Sequence, residues 1–235
     1  MEPFYFLQEL PEPGESCLLT GDEARHLAAA RRQATGDEVF LFNGQGVIAR
    51  ATIERIKQRG PEVQLCIQKK ETQEAGSRHI ILACAIPKGD RQRVLFDAVT
   101  QLGVHTIIPL LCQRSNIRTN EKQHARWQRI CLEACKQSRR AHLPVVEPAL
   151  CIADALSRMG NDRCNITLAH PGNAASAMAP ASTEQTNAGL FIGPEGGFTE
   201  SEIQQICDAG AKTVCLGRNI LRTEIAAIAL LSRLI

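Results

Sequence analysis

No stretch of this 235-residue sequence approaches the ~20 consecutive apolar residues that a membrane-spanning helix needs. The opening segment, MEPFYFLQELPEPGE, is acidic and lacks the basic-then-apolar layout of a secretory leader. These two absences lead to the expectation of a cytoplasmic protein with no membrane partner. Neither GxGxxG nor GxxxxGK(S/T) occurs, which removes the usual phosphate cradles of nucleotide enzymes. The ten cysteines sit singly among apolar neighbours, as in ILACAI, QLCIQ and KTVCLG, and the closest pair, Cys131 and Cys135, has no second pair at zinc-site spacing. Buried free thiols are expected rather than a disulfide framework, and no metal is expected. The six histidines are scattered as well.

What is present is an ordinary globular balance, 44% hydrophobic and 22% charged, in a chain long enough for one large domain or two modest ones. The net charge is only +2, yet it is unevenly spread. Residues 1–70 hold nine basic and ten acidic side chains, residues 71–150 twelve and seven, and residues 151–235 six and eight. Between Cys112 and His142 alone, eight basic residues face two acidic ones. That concentration is a candidate nucleic-acid footprint.

Two rhythms divide the chain. Up to about Lys70 apolar and polar residues alternate, and GDEVFLFNGQGVIARATIERI does so on both sides of Asn43-Gly44, a hairpin signal. A small β-rich domain is predicted over 1–72, interrupted by a helix at EARHLAAARR with Asp22 as its cap. KKETQEAGSR reads as a linker. From 73 to 235 strands and helices alternate: HIILACAI, RQRVLFDAVTQLG, VHTIIPLL, a long helix from about Glu121 to Arg140, CNITLA, GLFIG, TESEIQQICDA, KTVCL and TEIAAIALLSRLI. That order predicts an α/β domain with a mostly parallel sheet, whose ligands collect at the C-terminal ends of strands.

GPEGG, residues 193–197, stands at such an end, and Thr199 with Glu202 forms a capping box for the helix that follows. A glycine-rich loop before a helix suggests a phosphate site, but the carboxylate of Glu195 inside the cradle would repel an anion. Leu216-Gly217 closes the next strand in the same manner. Two such turns could line one pocket or serve only as connections, and the residues leave both readings open.

LFIGPEGGFTESEI, followed after one strand by LGRNILRTEIAA, resembles the C-terminal signature of RsmE-type ribosomal RNA methyltransferases of the SPOUT superfamily. AIPKGDR, TQLGV, IIPL, QRS, RWQRICLEACKQS and Leu143-Pro144 fall in that family's order, and the N-terminal hairpin region is similar to its small PUA-like RNA-binding barrel. The resemblance implies a trefoil-knotted C-terminal sheet, a homodimer, S-adenosyl-L-methionine as cofactor, and methylation of N3 of a uridine in 16S ribosomal RNA or the assembled small subunit. Carried over by position, the cofactor would lie among Leu168, His170, Pro171, Ile192, Gly193, Pro194, Glu195, Gly196, Gly197, Leu216, Gly217, Ile220 and Leu221. A different RNA site, or a non-catalytic RNA-binding assembly factor, is the competing reading. Departures from the family pattern are Ile225, where threonine is usual, Ala98 and Gln101 in a stretch that lacks its usual lysine, and Lys136 and Arg139, where glutamate and glycine are common.

Uridine N3 is a weak acid and must lose its proton before it attacks a methyl group. A guanidinium near the uracil oxygens would stabilise the anion, and Arg114 and Arg222 are the candidates. Glu195 or Glu224 would accept the proton, with a structural Arg222–Glu224 helix start as the alternative. For RNA, Lys122, Arg126, Arg129, Lys136, Arg139 and Arg140 recur along the long helix away from the apolar stripe of Trp127, Ile130, Cys131, Ala134 and Cys135. Arg25, Arg31 and Arg32 in the first domain, and Lys88 and Arg91 in PKGDR, are further candidates. Trp127 belongs to the apolar stripe and is expected in the core.

Overall fold

The computed structural model describes residues 4–29, 33–57, 62–76, 78–115, 119–171 and 186–235. Two compact units emerge: Met1–Ala75 with Cys135–Leu143, and Gly76–Ala134 with Pro144–Ile235. Against the expected division at 72/73, the difference is the short segment that joins the first unit. Main-chain bonds explain it: Gly46 donates to Ala141 O (3.0 Å) and Leu143 to Gly44 O (2.9 Å). The Gln73 side chain accepts from the Ala141 N–H (2.6 Å) and donates to Arg139 O (3.2 Å).

The first unit contains β1 (Phe4–Phe6), β2 (Ser16–Leu19), α1 (Gly21–Ala29), β3 (Glu38–Phe42), β4 (Val47–Lys57) and β5 (Glu62–Thr72). They form a curled five-stranded sheet in the order β1-β3-β4-β5-β2. The period-2 pattern turns Val39, Leu41, Ala49, Ala51, Ile53, Val63, Leu65 and Ile67 inward, all fully or almost fully buried. The β3–β4 hairpin forms where Asn43-Gly44 predicts it. The Asn43 carboxamide oxygen accepts from the N–H groups of Gln45 (2.8 Å) and Val47 (3.0 Å), and Gly44 takes φ +77°. α1 starts two residues earlier than expected, so Asp22 lies in its first turn and pairs with Arg25 rather than capping from outside.

The second unit follows as β6 (Ile80–Cys84), α2 (Arg91–Gln101), β7 (Thr106–Leu111), α3 (Glu121–Ser138, whose last turn belongs to the first unit), β8 (Val145–Val146), β9 (Leu150–Cys151), α4 (Ile152–Asn161), β10 (Asn165–Ala169), β11 (Ala188–Ile192), α5 (Glu200–Asp208), β12 (Lys212–Val214) and α6 (Thr223–Leu231). Every pairing in its sheet is parallel, in the order β12-β10-β11-β6-β7-β8, with β9 beside β7. Central strands covered on both faces read as unbroken apolar runs, and β6 and β11 are buried at every position. The doubled-back strand order is consistent with the trefoil knot that the resemblance implies.

The sequence pattern misses β8, β9 and α4. Two-residue strands carry no periodicity, and α4 is a short helix whose buried positions, Ile152, Ala155 and Met159, span only two turns before Gly160. Trp127 is buried as expected, stacked on Phe96 at 5.1 Å with its indole N–H donating to Gln92 Oε1 (3.0 Å). The ten cysteines are free, but only Cys84, Cys112, Cys131 and Cys135 are fully buried, and Cys151 is exposed.

Candidate active site

The register brings four strand ends into one row. Ala169 of β10 stands opposite Ile192 of β11 and Val214 of β12, and Ile192 stands opposite Cys84 of β6. At that edge the chain leaves the sheet through His170-Pro171, through Gly193–Phe198 and through Cys215–Gly217. These three exits line one cleft, closed on its remaining side by Asn219, Ile220, Leu221, Thr223 and Ala226 at the approach to α6. The two glycine turns therefore share a pocket.

Local chemistry fixes the GPEGG loop. Gly197 takes φ +70°, a conformation with little cost only for glycine, and its N–H closes the turn on Pro194 O at 2.8 Å. A Cβ on Gly193 would stand 2.9 Å from the Phe198 ring, so only glycine fits there without moving the ring. Thr223, the first residue of α6, donates its hydroxyl to Gly193 O at 3.2 Å. The capping box forms as expected, Glu202 N–H donating to Thr199 Oγ1 (3.3 Å) and Thr199 N–H to Glu202 Oε2 (2.7 Å). The other oxygen of the buried Glu202 accepts from the Gln113 N–H at 2.8 Å, tying the QRS segment to the exit of the loop.

A second, smaller hollow lies against the first and shares Pro194, Glu195 and Thr223 with it. Its other wall carries Lys88, Arg114 and Ser115. One nitrogen of Arg114, Nη1, donates to Gly196 O (3.0 Å) and Phe198 O (3.4 Å), so this guanidinium grips the GPEGG loop while it faces the hollow. Arg91, at the start of α2, pairs with Glu195 of the same loop. Two thiols lie under this edge. Burial pushes Cys84 well above the usual thiol range, and Cys112 and Glu224 add to the shift. Burial, with Glu202 beside it, pushes Cys112 up to about 12. Both are neutral thiols at neutral pH and poor nucleophiles.

A profile described as an RNA methyltransferase domain matches residues 74–235, and one described as an RNA methyltransferase PUA domain matches residues 19–66. The crystal structure of a ribosomal RNA small subunit methyltransferase E from Neisseria gonorrhoeae, bound to S-adenosyl methionine, is 31% identical and superposes with a TM-score of 0.88 over 99% of this chain and 96% of that one. The chain belongs to the RsmE-type RNA methyltransferase family. A methyltransferase from Legionella pneumophila, solved with its cofactor SAM, is 28% identical with a TM-score of 0.88 over 99% of this chain and 96% of its own. The ribosomal RNA small subunit methyltransferase E of Bacillus subtilis is 28% identical over 91% of this chain and 87% of its own.

Within this RsmE-type chain the structure gathers most of the residues expected around the cofactor and moves a few. His170, Pro171, Ile192 to Gly197, Leu216, Gly217, Ile220 and Leu221 line the cleft. Leu168 does not, because the strand alternation turns it into the core with Ile81, Phe191 and Ile206, and Ala169 faces the cleft in its place. Arg222 is exposed as the N-cap residue of α6, and Glu224 is buried at 4% exposure with Oε2 accepting no hydrogen bond; neither lines the cleft or the hollow. Thr223, between them, is the residue that the sequence pattern does not single out, although its place at the start of α6 is the signal that could have found it.

The RNA candidates divide likewise. Lys122, Arg126 and Arg129 are exposed on α3, while Arg139 and Arg140 are half-buried in the segment after it. Lys136 is not part of that face. Its ammonium pairs with Glu23 at 2.9 Å, the two side chains 7% and 15% exposed, and Glu23 also accepts from the Phe6 N–H at 3.1 Å. Arg25 pairs with Asp22, Arg91 with Glu195, and Lys88 stands beside Arg114 in the hollow. Arg31 and Arg32 lie outside the described residues.

Proposed function

We propose that this protein methylates N3 of a uridine in 16S ribosomal RNA, using S-adenosyl-L-methionine. One observation carries the reading: an apolar cleft built from glycine-turn backbone abuts a smaller hollow walled by Lys88 and Arg114, and the two share Glu195 and Thr223. A cofactor with an amino-acid end, a sulfonium and an adenosine fits the first, because loop N–H and C=O groups and the side chains of Ile192, Leu216 and Leu221 supply its polar and apolar partners. When bound, the cofactor supplies an electrophilic methyl group. The hollow suits a uracil ring.

The chain's own groups then have distinct tasks. Arg114, anchored by two loop carbonyls, presents its remaining donors to the uracil oxygens and stabilises the N3 anion. Glu195 lines both spaces and fits the proton acceptor better than the buried Glu224. Arg222 and Glu224 fit a structural role at the start of α6. Arg114→Ala is expected to lower turnover about 100-fold while cofactor affinity falls only a few-fold. Equal losses in both would leave Arg114 a loop anchor alone.

A homodimer is part of the same reading. Beyond its first two residues, Thr223 and Glu224, α6 is apolar around its circumference, a pattern of helices buried on all sides, yet Ile225 is 43% exposed on it, and Ile220 just before it is 85% exposed. A second copy would cover them. The deciding experiment treats small-subunit RNA from cells lacking the gene with purified protein and labelled cofactor, then separates nucleosides by mass spectrometry. New 3-methyluridine supports the proposal; methyl transfer to another nucleoside redirects it, and no transfer by folded, cofactor-loaded protein overturns it.

A further inference from the structure

The outward face of the first unit's sheet carries an arrangement that its fold does not require. Phe40 on β3, Arg50 on β4 and Lys69 on β5 stand in one cross-strand row, since Phe40 is registered with Arg50 and Arg50 with Lys69. With Ile48 and Glu71 they line a groove that includes the half-exposed Phe40 ring. The guanidinium of Arg139 lies 5.9 Å from the centre of that ring. Arg139 has φ +57°, a conformation that glycine adopts freely and an arginine does not, and its carbonyl is fixed by Gln73. A strained backbone therefore delivers a cation to an aromatic face outside the core. Two acids temper the charge, Glu38 at 3.6 Å from Arg50 and Glu71 at 3.7 Å from Lys69. Both pairs are exposed, so a phosphate can replace either carboxylate at little cost.

We propose that this groove holds one unpaired nucleotide of single-stranded RNA, its base stacked on Phe40 beside the Arg139 guanidinium and its flanking phosphates at Arg50 and Lys69. Aromatic and guanidinium planes are the surfaces on which unpaired bases stack, whereas phosphates need only the cations. The site rests on the reading of an RNA substrate above and lies outside the methyl-transfer machinery.

The test uses the full chain and a fluorescently labelled 12-nucleotide polyuridine, with binding followed against salt. Phe40→Leu keeps an apolar side chain but removes the stack, and its affinity is expected to fall about tenfold with an unchanged salt slope. Arg50→Gln and Lys69→Gln, both at exposed positions, are each expected to flatten the slope of log affinity against log salt by about 0.7. Phe40→Trp is expected to bind as the wild type, and the RNA should quench the added indole. If Phe40→Leu binds like the wild type and Phe40→Trp shows no quenching, the proposal is overturned. Polyglutamate of equal charge binding as tightly as the RNA would overturn it too, by reducing the groove to a charge patch. Wild-type methylation of small-subunit RNA is measured alongside: its presence with an unaffected Phe40→Leu sinks the groove alone, and its absence sinks the substrate reading and the groove with it.

Discussion

The two sheets of this molecule put their chemistry in different places. In the first unit, alternating strands bury one face and leave charged and aromatic side chains standing on the other, so what the sheet can offer a ligand is its open face. In the second, β6 and β11 are buried at every position, and neither offers an open face to a ligand. Its chemistry moves to the row of C-terminal strand ends, where backbone turns rather than strand side chains form the walls. A face tolerates substitution one residue at a time. An edge built from glycine turns does not, because every atom of the loop is both scaffold and wall.

The largest effect should come from breaking the edge. Gly193→Val would place its Cβ where the Phe198 ring lies, and the loop, the cleft and the Thr223 hydrogen bond would shift together. Cofactor binding, read by calorimetry, is expected to fall below detection while circular dichroism still reports a folded chain. Retained binding would mean that the ring can move aside and that the loop is less constrained than its geometry indicates.

A smaller effect separates the units in the opposite sense. Lys136 and Glu23 form an ion pair almost closed to water, and removing one partner leaves a charge in a poor environment. Lys136→Ala is expected to destabilise the first unit by about 3 kcal/mol, with cofactor affinity unchanged. Hydrogen exchange resolved by unit checks this. Loss of protection in the second unit's β6 or β11 would show that stability is shared between the units.

These contrasts also explain what the sequence discloses and what it hides. Asn43-Gly44, the GPEGG turn and the Thr199–Glu202 capping box are local devices, each encoded within a few residues, and each is legible in the sequence alone. Lys136 is misplaced by pattern because its partner Glu23 is 113 positions away, and helical spacing by itself assigns a lysine to a charged face. Arg91 is likewise assigned to RNA by its charge, and only the fold brings it to Glu195. Leu168 is an error of phase, since a shift of one residue on a strand exchanges core for cleft. Thr223 escapes notice because its role depends on the carbonyl of Gly193, which belongs to another element.

The smallest effect concerns pH, and it touches both units. Burial raises Cys17 to about 11 in the first, and Cys164 to about 11 and Cys112 to about 12 in the second. Tyr5 is raised to about 12 by burial, with Glu23 adding to it. In each case the folded state holds its proton more tightly than the unfolded chain does. The stabilisation relative to the ionised form is therefore complete below the unfolded thiol value and declines as the pH rises from about 9 towards the folded values. At pH 10 the loss should be at most about 1.4 kcal/mol for Cys112, less for the half-exposed Cys17 and Cys164. Denaturant melts at pH 8 and pH 10 on the wild type and on Cys112→Ser separate this effect from general alkaline repulsion. The loss between the two pH values should be smaller in the variant, because serine does not titrate there; an equal loss would show that other groups carry the alkaline dependence.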